Sequence, residues 1–336
     1  MRSTLRKGAV TIVGASAILS LALGGIAVAD PNLNNAGGAL PGYLPDSDDV
    51  VGTGSDTSQY VINTAAQAQS STNPAVRLAS FNAFQPGSEA NGPVTGDDIV
   101  IRDADQVAGS GDEVVIPRPN GSSAGINELL NNPNVDFARS SRGADADDPQ
   151  EVNDLYFIPA LSDGLSYVVD DTAGSDIRSL DTAELAAIYR CTDTRGFNPK
   201  LPQSGSGTRS FFLEQIGLEN NEIGPCVDQN VQEHDASAVD GDPLAIAPFS
   251  TARWSSNPPN PANPPSAVVD IAATSPTAGV FYTTRTIYNV VRVNDYDAPG
   301  SPLPALFGPD GYLCDRFDSG LFRQGFGGLG ADCGVI

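Results

Sequence analysis

Three glycine-containing turns carry residues with hydroxyl side chains, and each of these turns runs into a predicted helix. The turns are residues 52–57 (GTGSDT), 120–123 (NGSS) and 204–208 (SGSGT). Backbone N–H groups at a helix N-terminus have no partner within the helix and carry a partial positive charge, so such a turn can bind an anion without a cationic side chain. Serine and threonine are also common helix caps, so each turn by itself allows a purely structural role. Together the three turns predict an anion-binding site.

None of the three turns matches a nucleotide-binding loop. The phosphate loop of nucleotidases needs the pattern GxxxxGK[ST], whereas here Thr208 follows Gly207 directly and Arg209 comes after it. A dinucleotide-binding GxGxxG pattern also fails, because position 210 is a serine. The predicted ligand is therefore an anion held by turns rather than a nucleotide.

No hydrolase site is predicted either. Gly205 and Gly207 flank Ser206 directly, so the turn lacks the GxSxG spacing of a nucleophile elbow. A Ser-His-Asp triad would depend on His234, the single histidine of the chain, which we expect to be a solvated loop residue beside Asp235. We predict no catalysis, no metal site and no cofactor.

The N-terminal residues have the pattern of a secretory signal peptide. A basic stretch with Arg2, Arg6 and Lys7 precedes an apolar run over 9–26, and small residues at positions 27 and 29 precede Asp30. We predict cleavage after Ala29 and secretion, the alternative being a membrane anchor. No cysteine lies near the cleavage point, so no lipid anchor is expected. Residues 30–48 are rich in Asn, Gly, Pro and Asp and are predicted to be a flexible lead-in.

The chain is strongly acidic, with 18 Lys and Arg against 41 Asp and Glu, a net charge of −23. Residues 1–29 contain three basic and no acidic residues, so the mature chain has 15 basic and 41 acidic residues, or −26. A chain this acidic is not expected to form the positively charged surface that binds nucleic acid, so we predict no nucleic-acid partner. Surface charge is screened over about 8 Å at physiological salt, so acidity slows the capture of an anion without forbidding it.

Four cysteines are consistent with an oxidising compartment. Three pairings are possible, and we favour Cys191–Cys226 and Cys314–Cys333 because each closes a local loop. A metal site at these cysteines is not expected, since no two of them have a short C-x-x-C spacing.

The elements that must position the turns follow an α/β pattern. A strand at 50–51 precedes the first turn and a helix over 58–69, a strand at 113–116 precedes the second turn and a helix from 125, and the third turn leads into an amphipathic helix with Phe211, Phe212, Leu213 and Ile216. Further predicted elements are a helix over 180–189, which opens with an N-cap candidate and an acidic first turn, and strands at 135–138, 156–158, 165–169, 281–282 and 287–293. Short apolar runs that alternate with helices predict an α/β fold.

Several segments, in the same order, resemble the phosphate-binding protein of bacterial phosphate ABC importers, over roughly residues 50–293. They are 52–57, 120–125 (NGSSAG), 135–142 (VDFARSSR), 180–189 (LDTAELAAIY), 206–208 (SGT), 245–250 (AIAPFS) and 285–288 (RTIY). The resemblance implies a two-lobed type II periplasmic-binding-protein fold with a hinge crossed twice and an oxyanion in the cleft. Lobe I would comprise 49–162 and 277–336, and lobe II would comprise 163–276.

The resemblance also implies the ligand residues, position by position. They are Ser55, Asp56 and Thr57 in the first turn, Ser122 or Ser123 in the second, Ser141 or Arg142 after the strand at 135–138, and Ser206, Gly207 and Thr208 in lobe II.

Two departures from the family pattern concern these ligands. The family commonly has an arginine just before its SGT turn, where this chain has Leu201-Pro202-Gln203; Arg142 or Arg209 could replace it, or could form surface ion pairs. The family's discriminating carboxylate falls on Ser141; Asp56 could take that role or could simply cap a helix.

The function implied by the resemblance is the capture of phosphate or a related oxyanion by a secreted binding protein, with an ABC permease as a possible partner. The absent lipid anchor and absent upstream arginine leave a second hypothesis open. In that hypothesis the chain is a secreted or surface-associated structural or adhesive protein with the same fold and no ligand.

Overall fold

The computed structural model describes residues 49–72, 77–83, 98–101, 114–256 and 264–336. The predicted signal peptide (1–29) and lead-in (30–48) lie outside the described residues. Nine α-helices are assigned within the described ranges: α1 Gln59–Thr72, α2 Ser122–Asn131, α3 Pro149–Asp154, α4 Thr182–Tyr189, α5 Gly207–Gln215, α6 Thr251–Ser255, α7 Val293–Tyr296, α8 Leu303–Phe307 and α9 Tyr312–Asp318. None of these helices has the length and apolar composition needed to span a membrane.

The strands of the described residues form one large sheet and one hairpin. They are β1 Val50–Gly54, β2 Leu78–Ser80, β3 Asp98–Ile101, β4 Val114–Pro117, β5 Phe137–Ser140, β6 Leu155–Asp170, β7 Asn198–Pro202, β8 Asp228–Val231, β9 Ala245–Ser250, β10 Val269–Ile271 and β11 Thr283–Arg292. The large sheet has the order β2-β1-β5-β11-β6-β9-β7-β8, with β10 also paired to β6, and β3 pairs with β4. The predicted α/β fold class is confirmed.

Two long antiparallel strands, β6 and β11, lie at the centre of the sheet. On one side β11 pairs with β5, which pairs with the parallel strand β1. On the other side β6 pairs with β9, which pairs with the parallel strand β7. Since β1 and β7 precede the first and third turns, the strand order places these two turns on opposite sides of the central pair.

The four hydrophobic clusters divide in the same way. Two of them draw mainly on residues 50–161 and 287–326, and the other two mainly on residues 165–281. Two residues near the predicted lobe boundaries pack in the cluster of the other side, namely Ala252 and Phe281. The lobe limits at 162/163 and 276/277 remain a prediction.

Of the strand predictions, the one at 281–282 was wrong. Segments 156–158 and 165–169 are both strands as predicted, but they belong to the single strand β6, which also includes the polar and glycine residues between them. Asp163 pairs with Arg285, and a Cβ at Gly164 would lie 2.6 Å from the Thr251 hydroxyl. Phe281 and Tyr282 precede β11 rather than forming a strand, and the Phe281 N–H donates to the Leu180 carbonyl at 2.8 Å.

The local predictions for α4 and the cysteines are confirmed. Asp181 caps α4, because its carboxylate accepts a hydrogen bond from the Glu184 N–H at 2.9 Å. The Glu184 carboxylate in turn accepts a hydrogen bond from the Asp181 N–H. The disulfides are Cys191–Cys226 and Cys314–Cys333, the favoured pairing.

Candidate functional site

The structure brings the three predicted turns together. The Ser55 hydroxyl of the first turn donates to the Ser141 hydroxyl at 3.2 Å, and the Ser122 hydroxyl, at the start of α2, lies 3.3 Å from the same atom. All three serines are buried. The Ser141 N–H also donates to the Ser122 hydroxyl at 3.0 Å. We call Ser55, Ser122 and Ser141 the serine group.

The third turn lies against the serine group from the other side of the central strands. A Cβ on Gly207 would lie 2.2 Å from the Ser122 hydroxyl and 2.4 Å from the Ser141 hydroxyl, so only glycine fits there. One residue later, the Thr208 hydroxyl is 3.4 Å from the Thr57 hydroxyl. The N-termini of α1 and α5 therefore face each other at this point.

The second and third turns also touch through their backbones. The Ser123 N–H donates to the Gly205 carbonyl at 3.1 Å, and a Cβ on Gly121 would lie 2.7 Å from the same oxygen. Gly121 has φ 103° and Gly205 has φ 87°, values that favour glycine. This close approach excludes solvent-sized space between the two turns at that contact.

Two of the predicted hydroxyls have structural partners. The Ser206 hydroxyl accepts from the Arg209 N–H at 3.0 Å and so caps α5. The Ser123 hydroxyl accepts from the Arg142 guanidinium at 3.2 Å. The turn at 204–208 thus contributes Gly207 and Thr208 to the contact region, whereas the serine caps the helix.

Neither of the two arginines proposed from the sequence reaches the serine group through a hydrogen bond. Arg142 forms a two-point ion pair with Glu151, at 2.7 Å to each carboxylate oxygen. Arg209 donates to the Pro202 carbonyl at 3.0 Å and to the side chains of Asn220 and Gln229. Burial lowers the pKa of Arg209. Arg142 therefore forms an ion pair, although a mostly buried one rather than one at the surface, and Arg209 connects α5 to β7 and β8.

Three buried arginines that the sequence did not single out surround the contact region. Arg285 donates to the Thr208 hydroxyl at 2.8 Å and pairs with Asp163 at 2.8 Å. Arg139 donates to the Ser55 carbonyl at 3.1 Å and to the Ser80 hydroxyl at 2.7 Å. Arg253 donates to the Asp56 carbonyl at 2.6 Å. A signal was present for Arg139 and Arg285, because each lies within an apolar strand segment where a charged side chain needs a buried partner.

A carboxyl cluster lies next to the serine group and consists of Asp56, Glu233 and His234. One oxygen of Glu233, Oε1, accepts from the Thr57 hydroxyl at 2.8 Å and from the Thr208 hydroxyl. His234 Nδ1 lies 3.3 Å from both carboxylate oxygens of Asp56. The chain segment after β8 therefore reaches the first turn across 176 residues of sequence.

The expectation for His234 was wrong. Its side chain is fully buried, and its ring packs edge-on against Phe249 with the centroids 5.0 Å apart. Its backbone has φ 60°, the left-handed region that histidine adopts more often than most residues. A run of consecutive polar residues such as 232–235 (QEHD) indicates a surface loop. The side chain that contacts buried His234, Asp56, comes from a turn that is distant in sequence.

Burial shifts the pKa values of this cluster in opposite directions. Desolvation raises the pKa of Asp56 from 3.8 to about 6, and the positive charge of Arg253 opposes that rise. Desolvation lowers the pKa of His234 from 6.5 to about 3, so the imidazole is neutral at pH 7. Nδ1 faces a carboxylate, so the neutral ring carries its proton there, and Nε2 is an acceptor.

The carboxyl cluster contains residue types that can hold a metal ion, and one potential ligand atom from each lies within 4.8 Å of the others. The charges of Arg253, Arg285 and Arg139 all act on Asp56. Three cations so close to the carboxylates disfavour a further cation, so these surroundings fit an anion or a proton better.

Comparisons with known proteins agree with this architecture. A family model described as a PBP superfamily domain matches residues 43–290. A Clostridium perfringens protein with bound phosphate, assigned as a phosphate ABC transporter substrate-binding protein, superimposes with a TM-score of 0.56 at 15% identity, covering 84% of this chain and 99% of its own. An ABC-type phosphate transport receptor from Vibrio cholerae gives 0.52 at 16% identity, covering 83% and 99%. No curated protein matches the sequence.

Proposed function

The chain belongs to the PBP superfamily, and from that membership we propose that it binds phosphate or a similar oxyanion between its two lobes. The observation that carries the proposal is the meeting of the predicted turns. Thr57 and Thr208, which are 151 residues apart and stand at the N-termini of α1 and α5, have their hydroxyls 3.4 Å from each other, beside the serine group.

The chemistry of the contact region suits an oxyanion. Five hydroxyl groups come from Ser55, Ser122, Ser141, Thr57 and Thr208, and each can donate one hydrogen bond. Helices α2 and α5 begin at Ser122 and Gly207, so their N-terminal N–H groups add a partial positive charge. In the structure the hydroxyls bond to one another and to Glu233, and a bound oxyanion would replace these bonds.

Capture would proceed by closure of the lobes around the ligand. Thr57 and the serine group belong to lobe I, whereas Gly207 and Thr208 belong to lobe II, so a ligand held by both sets would fix the lobes in their closed arrangement. The role is binding rather than catalysis. An ABC permease would be the receiving partner.

Secretion is part of the same proposal. The predicted signal peptide over 1–29 would direct export, and two disulfides fit an oxidising compartment. A binding protein for a nutrient anion has to meet its ligand outside the cytoplasm, so the location and the function support each other.

The proposal is tested by isothermal titration calorimetry of the mature protein, stripped of ligand and titrated with phosphate. We expect a Kd of about 1 µM or tighter. Thr208→Val removes one hydroxyl that would bond the anion, so the affinity should fall about 10- to 100-fold, since a hydrogen bond to a charged group contributes about 1.5–3 kcal/mol.

A matched control is Thr182→Val, because Thr182 is an exposed threonine at the N-terminus of α4. Its phosphate affinity should stay within about twofold of the wild-type value, as for a surface change outside the site. No heat with phosphate in folded protein would reject the proposal and favour the structural or adhesive alternative. Equal affinities of the two variants would place the ligand elsewhere.

A further inference from the structure

Asp163 lies in the central strand β6 and binds side chains from both neighbouring strands. Its Oδ2 accepts from two guanidinium nitrogens of Arg285, Nε at 3.0 Å and Nη2 at 2.8 Å. Its Oδ1 accepts from the Ser250 hydroxyl at 2.7 Å. Arg285 lies on β11 and Ser250 at the end of β9, and all three side chains are buried. A buried carboxylate must be paired and hydrogen-bonded, so these bonds fix the three side chains relative to one another.

The register of the sheet explains why these side chains meet. Arg285 is directly opposite Asp163 in the antiparallel pairing of β11 with β6. Side chains of directly opposite residues lie on the same face of a sheet and contact each other. On the other edge of β6, Ser250 of β9 is opposite Leu165. Asp163 and Leu165 are two residues apart and so share a face, which places Ser250 on the same face as Asp163.

One arm of this arrangement reaches the third turn. Arg285 Nη1, the guanidinium nitrogen that points away from Asp163, donates to the Thr208 hydroxyl at 2.8 Å and to the Ser141 carbonyl at 3.4 Å. The guanidinium is planar, and its two hydrogen bonds to Asp163 fix the orientation of that plane. Asp163 therefore determines how Arg285 meets Thr208.

The other arm reaches the first turn. The Ser250 hydroxyl, which donates to Asp163, also accepts from the Arg253 N–H at 3.2 Å and so caps α6. Arg253 donates to the Asp56 carbonyl at 2.6 Å, and its guanidinium carbon lies 4.5 Å from the ring centroid of Tyr60 on α1. The bond between Ser250 and Asp163 thus fixes the start of the helix that carries Arg253 to the first turn.

Three contacts along the two arms join the two predicted lobes. They are Thr208 with Arg285, Arg285 with Asp163, and Arg253 with Asp56. Hydrogen-bonded networks of buried side chains can carry coupling between distant points of a protein. The two turns that would close on the ligand are therefore connected a second time, through Asp163 in the central strand.

We propose that Asp163 is a positioning residue of the oxyanion site, an inference that rests on the proposed function. It aligns the third turn through Arg285 and the first turn through Ser250, and it does so without touching the ligand. A change at Ser250 is then felt at Thr208. A purely structural ion pair would stabilise the fold and leave phosphate affinity independent of Ser250.

The test is a double-mutant cycle on phosphate affinity, measured by calorimetry, with Ser250→Ala and Thr208→Val. Ser250→Ala removes the donor to Asp163 Oδ1, so the affinity should fall about 3- to 10-fold. In that background Thr208→Val should cost at least about threefold less than it costs in the wild type, because Arg285 is no longer held toward Thr208. Independent residues would instead give losses that multiply to within about twofold.

Asp181→Ala is the matched control, because Asp181 also caps a helix of predicted lobe II, namely α4. The loss of this cap should leave the phosphate affinity within about twofold of the wild-type value. Combined with Thr208→Val, it should give losses that multiply.

A second measurement uses the wild type and remains informative if Ser250→Ala does not fold. Amide hydrogen exchange reports local opening of the backbone. Phosphate should slow exchange at least about threefold in the peptide over 251–256, which contains α6, because the ligand holds both arms in place. Exchange in the peptide over 182–190, which contains α4, should not change.

The outcomes separate this inference from the proposed function. Unchanged phosphate affinity in Ser250→Ala, losses that multiply in the double variant, or equal exchange of α6 with and without phosphate each overturn the inference and leave phosphate binding intact. A folded wild type that binds no phosphate rejects the proposed function and this inference with it.

Discussion

The serine group and the carboxyl cluster are neighbours in one buried region, but they are built differently. The serine group is uncharged, and its hydroxyls bond to one another. The carboxyl cluster carries charge and contains a histidine with φ 60°, and among the described residues Glu233 Oε2 and His234 Nε2 have no hydrogen-bond partner. Hydroxyls can rotate to exchange partners, whereas a carboxylate can only accept. The first group can therefore adapt to an anion, whereas the second offers a fixed set of acceptors.

Arg285 contacts both groups, because it donates to the Ser141 carbonyl at 3.4 Å and to the Thr208 hydroxyl, which in turn donates to Glu233. Its loss should have the largest effect. Arg285 donates to Thr208 and pairs with Asp163, both buried. Arg285→Met leaves Asp163 as an unpaired buried carboxylate, so the free energy of unfolding should fall by about 3–5 kcal/mol, measured by urea denaturation.

A matched control for Arg285 is Arg195→Met. Arg195 pairs with Glu184 and Asp193 but is 35% exposed, so its loss should cost no more than about 1 kcal/mol. Equal losses in the two variants would mean that the buried Arg285–Asp163 pair contributes no more to stability than an exposed pair does.

Unlike the serine group, the carboxyl cluster should make the free energy of unfolding depend on pH, and its two titrating residues should act in opposite directions. The folded-state pKa of Asp56 is raised to about 6, so its contribution to stability is present below pH 3.8 and is lost as the pH rises to about 6. The folded-state pKa of His234 is lowered to about 3, so its contribution is present above pH 6.5 and is lost as the pH falls. Between pH 4 and 6 the two contributions cancel.

Single substitutions should separate these contributions. Relative to the wild type, Asp56→Asn should gain stability as the pH rises from 4 to 6, by up to about 3 kcal/mol, since one proton corresponds to about 1.4 kcal/mol per pH unit. His234→Asn, which tolerates the left-handed backbone, should lose stability over the same range. Urea denaturation at several pH values measures both, and parallel pH curves for the two variants would contradict the opposed shifts.

Substitutions that crowd the serine group should lower stability and phosphate binding to the same extent at every pH. Gly207→Ala places a methyl group against the Ser122 and Ser141 hydroxyls, so we expect a loss of about 1–3 kcal/mol and of phosphate binding at every pH from 4 to 8. Gly174→Ala is the control, because a Cβ there meets no atom within 4 Å. Thermal unfolding and calorimetry compare the two, and a Gly207→Ala protein that still binds phosphate would show that this contact is not part of the site.

The smallest effect on phosphate affinity is expected at Arg142, which contacts Ser123 and Glu151 but belongs to neither group. Arg142→Met breaks the mostly buried pair with Glu151, whose carboxylate keeps a hydrogen bond from the Asp145 N–H, so stability should fall by about 1–3 kcal/mol while the phosphate affinity stays within about twofold. Arg178→Met, which breaks a more exposed pair with Asp270, provides the comparison. A tenfold loss of phosphate affinity in Arg142→Met alone would indicate that Arg142 contacts the bound anion.

Two members of the serine group, Ser55 and Ser122, could be predicted from local signals in the sequence, and the family resemblance implied Ser141. A strand, a Gly/Ser/Thr turn and a helix follow each other within about twenty residues, so 52–57, 120–123 and 204–208 could be recognised as helix starts. The capping residue Asp181 and both disulfides could be predicted for the same reason. The resemblance then placed these turns in one cleft.

The carboxyl cluster could not be predicted as a unit, because the contacts that bring Glu233 and His234 to the first turn are distant in sequence. His234 meets Asp56 across 178 residues, and Arg285 meets Asp163 across 122. A polar residue in a polar loop indicates a solvated position, and only the packed fold shows which distant turn buries it. The same limit explains why Arg142 and Arg209 were considered while Arg139, Arg253 and Arg285 were given no role.

The most direct test is a crystal structure of the mature protein grown with saturating phosphate. We predict one phosphate ion between the lobes, with its oxygens about 2.7–3.2 Å from the hydroxyls of Ser122, Thr57 and Thr208. A phosphate bound at another place, or a structure in which Thr57 and Thr208 still contact each other with no phosphate between the lobes, would contradict the proposed site.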